Sequence, residues 1–325
     1  MAKNINYFVK RVKSNTCVGF YPNSESFKNG INYEVEYADT FREEFQTSET
    51  SRQHKTILCL HGAPGNFENF HHQLNVLPSM GNFRILAPNF PDYSLTIKTR
   101  GLFKHSANER ASILVDFLKA IGVNHLDSVI SYSASSYPTI NLIAGDNGIN
   151  IKSVILLSPA TTIIGPNEPP RFVTAIIHIP YTFFYDRQWF RSLLEPFGKL
   201  IMSTFPHGLF KTIDEALLAF GQRFETDMKE ITENIGKIRG TLPIMIIFGS
   251  NDELIPEPVF REYVKLFGAD SKDHFQYIDI EDKEPTVDFN GRLPKVVVIK
   301  RGKHNTTLKR PNLVNTGLIQ LLSKL

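Results

Sequence analysis

Ser128-Val129-Ile130-Ser131-Tyr132-Ser133-Ala134-Ser135, followed by Thr139-Ile140-Asn141-Leu142-Ile143-Ala144, decides the fold of this chain. A short apolar strand runs into a cluster of small residues and then into a helical pattern. A tight turn with a serine at its apex, placed between a strand and a helix, strains the serine backbone and lifts its hydroxyl to the end of the sheet. The residues two before and two after the apex must be small, because strand and helix backbones pass close together there. Centring the turn on Ser131 would put Val129 at such a position, and centring it on Ser135 would put Tyr137 there. Ser133 is the one register that keeps both flanks small. The usual motif has glycine at both flanks, and here both are serine.

Working outward, apolar runs at Thr56–Leu60, Phe83–Ala87, Lys152–Leu157, Pro243–Phe248 and Lys295–Ile299 join Ser128–Ser131 as expected strands. Several are almost continuously apolar, as suits strands buried on both faces of a parallel sheet. Helical spacing between them, over 108–122, 258–267 and 307–325, predicts an α/β fold with a mostly parallel central sheet and helices on both faces. Thr16–Tyr21 and Tyr33–Tyr37 are expected to supply an antiparallel edge. From 161 to 240 the alternation stops and aromatic residues accumulate, which predicts a mostly helical insertion. The expected organisation is a core over 1–160 and 241–325, interrupted by that insertion. Residues 279–294 are polar and expected as an exposed loop or hairpin.

Composition narrows the function classes. The formal charge is +3 over 325 residues, too small to argue for nucleic acid. The basic residues at 10–13 are expected on a solvated face. Two cysteines, one of them (Cys59) inside an apolar strand, argue against a disulfide framework and for a reducing compartment. The N-terminus lacks the apolar run of a signal peptide, and no stretch has the ~18 apolar residues of a membrane span, so a cytoplasmic protein without stable membrane insertion is expected.

Three more segments give Ser133 a chemical context. His61-Gly62-Ala63-Pro64-Gly65 follows the first parallel strand, where a Gly/Pro turn can aim the Ala63 N–H at the serine and, with the Ala134 N–H, hold an oxyanion. His61 itself is expected to be structural. Asp252 follows the strand 243–248 at the rim where α/β sheets place their sites, with Glu253 as the alternative acid. His304 follows the last strand, and an imidazole there can take the serine proton and return it. His71, His72, His105 and His274 have no paired acid in the sequence and are expected at the surface. His304 does not lie at metal-ligand spacing, and neither metal nor cofactor is expected.

The order Ser133, Asp252, His304, with each residue after a strand, resembles the α/β-hydrolase superfamily from about Thr56 to the C-terminus. His61-Gly62-Ala63-Pro64-Gly65 looks like the His-Gly-x-Pro motif of the branch containing epoxide hydrolases and haloalkane dehalogenases. Ala87-Pro88-Asn89-Phe90-Pro91-Asp92 is similar to that branch's next strand and loop. Those enzymes use an aspartate nucleophile. Ser133 argues against both activities and towards serine esterases, lipases or C–C hydrolases. The resemblance implies that 161–240 is a helical cap over a pocket for a small hydrophobic or acyl substrate. The expected function is therefore a serine hydrolase cleaving a carboxylic ester or related acyl compound. The rivals are a non-catalytic small-molecule-binding protein, a lyase built on the same triad, and a lipid-surface role for Phe172–Phe190.

Overall fold

The computed structural model describes residues 8–16, 31–41, 54–91, 93, 105–165, 175, 189, 192, 196, 212–282, 285–289 and 293–324. Among these, nine strands form one sheet in the order β1-β2-β4-β3-β6-β8-β9-β11-β10. They are β1 (Phe8–Thr16), β2 (Ile31–Asp39), β3 (Lys55–Leu60), β4 (Phe83–Pro88), β6 (Ser128–Tyr132), β8 (Val154–Leu157), β9 (Ile244–Gly249), β10 (Phe275–Asp279) and β11 (Lys295–Lys300). β5 (His125–Leu126) and β7 (Asn150–Ile151) pair separately. β1 and β2 run antiparallel to their neighbours, and every other pair in the large sheet is parallel. A mostly parallel sheet with helices on both faces is thus the architecture, as the apolar runs predict.

Strand alternation divides the core into two layers. Leu58, Leu60, Val129, Leu156, Ile246, Phe248, Val296 and Val298 face one side, where α2 (Ala107–Ala120), α3 (Ser136–Ala144), α5 (Met228–Ile238) and α6 (Glu257–Leu266) pack. Ile57, Cys59, Ile130, Ile155, Met245, Ile247, Val297 and Ile299 face the other side, against α1 (His71–Met80) and α8 (Pro311–Leu322). The remaining described helices are α4 (Ile213–Glu225) and the short α7 (Thr306–Lys309). Among the described α-helices, side chains cap the starts of α2 (Ser106), α4 (Thr212) and α5 (Asp227). A line of amides then locks three helices together. The Asn234 side chain donates to Asn141 at 3.0 Å, Asn141 to Asn108 at 2.5 Å, and Asn108 to Glu230 at 2.6 Å. Through it α5, at the end of the 161–240 stretch, sits firmly on α3 and α2.

At the edges the sequence expectations hold in part: Tyr33–Tyr37 lies in the antiparallel β2. The basic residues at 10–13 belong to an edge strand, β1, in which Arg11 pairs with Glu36 across the ladder. Most of Thr16–Tyr21 and of Phe172–Phe190 lies outside the described residues. β10 is a second edge strand, whose residues are mostly half-buried or exposed, so its hydrophobic signal is diluted. The following segment is tied to it rather than standing free. Gln276 bonds the backbone of Thr286 and Asp288 through both ends of its amide, and Val287 is buried under α8.

Where β2 meets β4, Asp39 is fully buried. Its carboxylate accepts from Arg84 at 2.9 and 3.2 Å, from the Phe41 N–H at 2.9 Å and from Lys10 at 3.4 Å. Removing one member of such a pair strands the other charge. Asp39→Ala is expected to lower unfolding free energy by about 3 kcal/mol in a urea titration. A loss below about 1 kcal/mol would mean that the pair is effectively solvated.

Candidate active site

β6 ends at Tyr132, and the next residue turns the chain sharply. Ser133 has a φ of 53°, in the left-handed region that costs a non-glycine residue roughly 1–2 kcal/mol. One 3-10 turn, Ser133–Ser135, leads directly into α3. The turn is held from several sides. The Ser133 carbonyl accepts from the Ala160 N–H at 3.1 Å, and the Ser136 hydroxyl donates to the Ala160 carbonyl at 3.1 Å. The two flanking serines behave differently. The Ser135 hydroxyl donates to the His61 carbonyl, tying the turn to the loop after β3. The Ser131 hydroxyl is buried and has no partner among the described residues, a cost that glycine would not incur.

Two glycines bring the other side chains within reach. A Cβ on Gly249, the last residue of β9, would lie 2.2 Å from the Gly302 carbonyl oxygen. The loops after β9 and β11 therefore touch backbone to backbone. The Ser250 N–H donates to the Ile299 carbonyl at 2.9 Å, and the Asn251 N–H to the Gly302 carbonyl at 2.8 Å. In that frame Asp252 is buried with both oxygens occupied. Oδ1 accepts from the Leu254 and Ile255 N–H groups at 2.9 and 3.0 Å, and Oδ2 lies 2.7 Å from His304 Nδ1. An ionised carboxylate only accepts, so Nδ1 carries the proton and Nε2 is left as an acceptor. Nε2 stands 3.0 Å from Ser133 Oγ. The His304 carbonyl is held by the Ser158 hydroxyl at 2.8 Å, and Ser158 is itself left-handed, with a φ of 41°. Glu253 accepts from the His304 N–H at 3.5 Å and lies 3.9 Å from Lys303 Nζ.

The loop after β3 packs against this turn. A Cβ at Gly62 would lie 2.8 Å from the Tyr132 ring and 3.1 Å from Ser133 Cβ, so only glycine fits. Ala63, in a cis bond to Pro64, and Ala134 are both half-buried on the flanks of Ser133. His61 is buried beneath them. Its Nδ1–H donates to the Gly62 carbonyl at 2.8 Å and its Nε2 accepts from the Phe90 N–H at 3.0 Å. From the opposite side α4 reaches in: Gln222 donates to the Ala134 carbonyl at 3.0 Å.

All five residues singled out in the sequence thus lie at the C-terminal ends of the parallel strands, with Ser133, His304 and Asp252 in one hydrogen-bonded line. Sequence reasoning missed Gly249, Gly302, Ser158 and Gln222. The two glycines follow adjacent strands, and that placement was the available signal; Ser158 and Gln222 had none. Two histidines expected at the surface are buried. His274 bonds the Pro294 carbonyl at 2.9 Å with Asp270 3.8 Å away, and His105 packs edge-on to Tyr93. Among the described residues no group of three or more His, Cys, Asp or Glu side chains is set to hold a metal ion, and no helix is long and apolar enough to cross a membrane.

Burial pushes the His61 pKa down to about 3. An unfolded histidine takes a proton near pH ~6.5. Protons therefore bind the unfolded chain first, and His61 erodes stability as pH falls from about 6.5 towards about 3. In an NMR titration the His61 ring is expected to keep its neutral shifts from about pH 8 down to about pH 5. A midpoint near ~6.5 would contradict the burial.

No family model and no curated sequence matches the chain. Solved structures do. A thermophilic esterase from Thermogutta terrifontis is 14% identical, with a TM-score of 0.58 over 97% of this chain and 98% of its own. A bromoperoxidase from Bacillus anthracis is 14% identical, with a TM-score of 0.57 over 97% and 100%. The haloalkane dehalogenase DatA from Agrobacterium tumefaciens C58 is 13% identical, with a TM-score of 0.57 over 98% and 97%. At this identity the likeness speaks for architecture, and it agrees with the strand order and the strand–turn–helix at Ser133: the chain has the α/β-hydrolase fold.

Proposed function

We propose that this protein is a serine hydrolase that cleaves a carboxylic ester or related acyl substrate through an acyl-enzyme. The observation that carries this reading is the line Ser133 Oγ to His304 Nε2 at 3.0 Å and His304 Nδ1 to Asp252 Oδ2 at 2.7 Å. His304 takes the Ser133 proton as Oγ attacks the acyl carbon, and Asp252 stabilises the imidazolium that forms. The Ala63 and Ala134 N–H groups hold the oxyanion. The imidazolium then protonates the leaving group, and a water activated by neutral His304 hydrolyses the acyl-serine. Each step uses only these groups, and none calls on a metal or cofactor. The esterase among the structural neighbours fits the same chemistry. A serine at the apex, where dehalogenases of this fold carry aspartate, speaks against dehalogenation.

The substrate side of the proposal is a helical cap in the stretch 161–240, whose last helix α5 packs with the core, lining an apolar pocket for a small hydrophobic or acyl group between the core segments 1–160 and 241–325. A cytoplasmic setting belongs to the same reading, supported by Cys59, which is buried and free.

The test is covalent labelling by a fluorophosphonate probe. The wild-type protein is expected to label, and Ser133→Ala to abolish labelling. His304→Ala and Asp252→Asn, shown to be folded, are expected to slow it by about 10³-fold or more. A folded wild-type protein that does not label would favour a non-catalytic binding role. Labelling together with cleavage of a carbon skeleton, without an acyl-enzyme, would favour the lyase.

A further inference from the structure

An α-helical i+4 bond to the Ala134 carbonyl is ruled out by the sequence itself. Four residues on, where an α-helix would supply an N–H, stands Pro138, which has none. Gln222 fills the gap from a different helix, its Nε2 donating to that carbonyl at 3.0 Å. A carbonyl only accepts, so the amide has one orientation, with its oxygen towards the Tyr93 hydroxyl 3.5 Å away. Gln222 is fully buried, where an unbonded amide would be costly.

The backbone behind Gln222 is anchored too. Its carbonyl accepts from the Thr226 hydroxyl at 2.7 Å, and the same oxygen of Thr226 accepts from the Ala107 N–H, at the start of α2, at 3.2 Å. The next residue, Arg223, donates to the Thr161 carbonyl at 2.6 Å and bonds the Tyr137 hydroxyl on α3. α4 therefore holds both sides of the Ser133 turn. It grips Ala134 directly, and it grips the 158–161 turn whose Ala160 N–H holds the Ser133 carbonyl.

We propose that Gln222 is a positioning residue for the oxyanion site. By fixing the peptide after Ala134 it holds one side of the Ala134 Cα, while the peptide before it, which carries the Ala134 N–H, is held through the Ser133 carbonyl by the Ala160 N–H. Gln222 also makes α4 the link through which events in the 161–240 segment reach the nucleophile turn. This rests on Ser133 being the nucleophile.

Gln222→Met keeps the length and removes the donor. Gln222→Glu keeps an oxygen for Tyr93 and turns an acceptor on the Ala134 carbonyl. At saturating fluorophosphonate, both variants are expected to label about 10- to 100-fold more slowly, with a half-saturating concentration within about twofold of wild type. A merely structural role would instead shift the melting temperature and restore the labelling rate on cooling. That result, or a wild-type rate in Gln222→Met, overturns the proposal. Hydrogen exchange of peptides spanning 132–136 gives a readout that does not need a reactive serine. Faster exchange there in Gln222→Met, with the rest of the chain unchanged, supports the tether, and unchanged exchange overturns it. A wild-type protein that fails to label while the variant exchanges faster would defeat the nucleophile and leave the tether standing.

Discussion

Ser133 sits in a backbone conformation that its side chain disfavours, and the surrounding loops are arranged to keep it there. Its φ of 53° persists because the turn is clamped on every side. The Ala160 N–H holds its carbonyl, the Ser135 hydroxyl ties the turn to His61, and Gln222 holds the carbonyl of the next residue. His61 extends that clamp downward, neutral and bonded through both ring nitrogens, so that the loop carrying Ala63 is fixed to the chain at Phe90. The strain is therefore stored in a turn built from four separate segments.

Asp252 and His304 depend on a different constraint, the contact of two backbones. With no Cβ at Gly249, the ends of β9 and β11 come together, and the Ser250 and Asn251 N–H groups bond the Ile299 and Gly302 carbonyls. Asp252 and His304 then arise from one locked pair of loops, and the carboxylate, with three donors, has a single orientation to offer the imidazole. Ser158 joins this half to the Ser133 turn, because its segment bonds both the His304 and the Ser133 carbonyls. The sheet supplies rigidity, and the loops convert it into distances near 3 Å.

The central strands were legible because burial on both faces makes them continuously apolar, as in Val154–Leu157 and Ile244–Gly249. The edge strands were not, because a strand with one solvated side carries Lys10 and Arg11 in β1 or Gln276 and Tyr277 in β10 without penalty. Ser133, Asp252 and His304 were legible from their places after strands and their order along the chain. The buried His105 and His274 were not, because a histidine's burial depends on partners distant in sequence, such as Pro294 for His274. Gln222 lies 88 residues from the carbonyl it serves, and nothing in its own sequence surroundings marks it. The serine flanks of the turn, a departure from glycine in the sequence, separate in the structure into one bonded hydroxyl and one buried without a partner among the described residues.

The central claim is that Ser133 forms a covalent bond to the substrate acyl group. Mixing the protein with excess p-nitrophenyl acetate, quenching in acid during the first turnovers and mapping peptides by mass spectrometry tests it directly. One acetyl group on the peptide containing Ser133, appearing with a burst of p-nitrophenol, is the expected result. Turnover with no acetyl on Ser133, or with the acetyl on another residue, would contradict it.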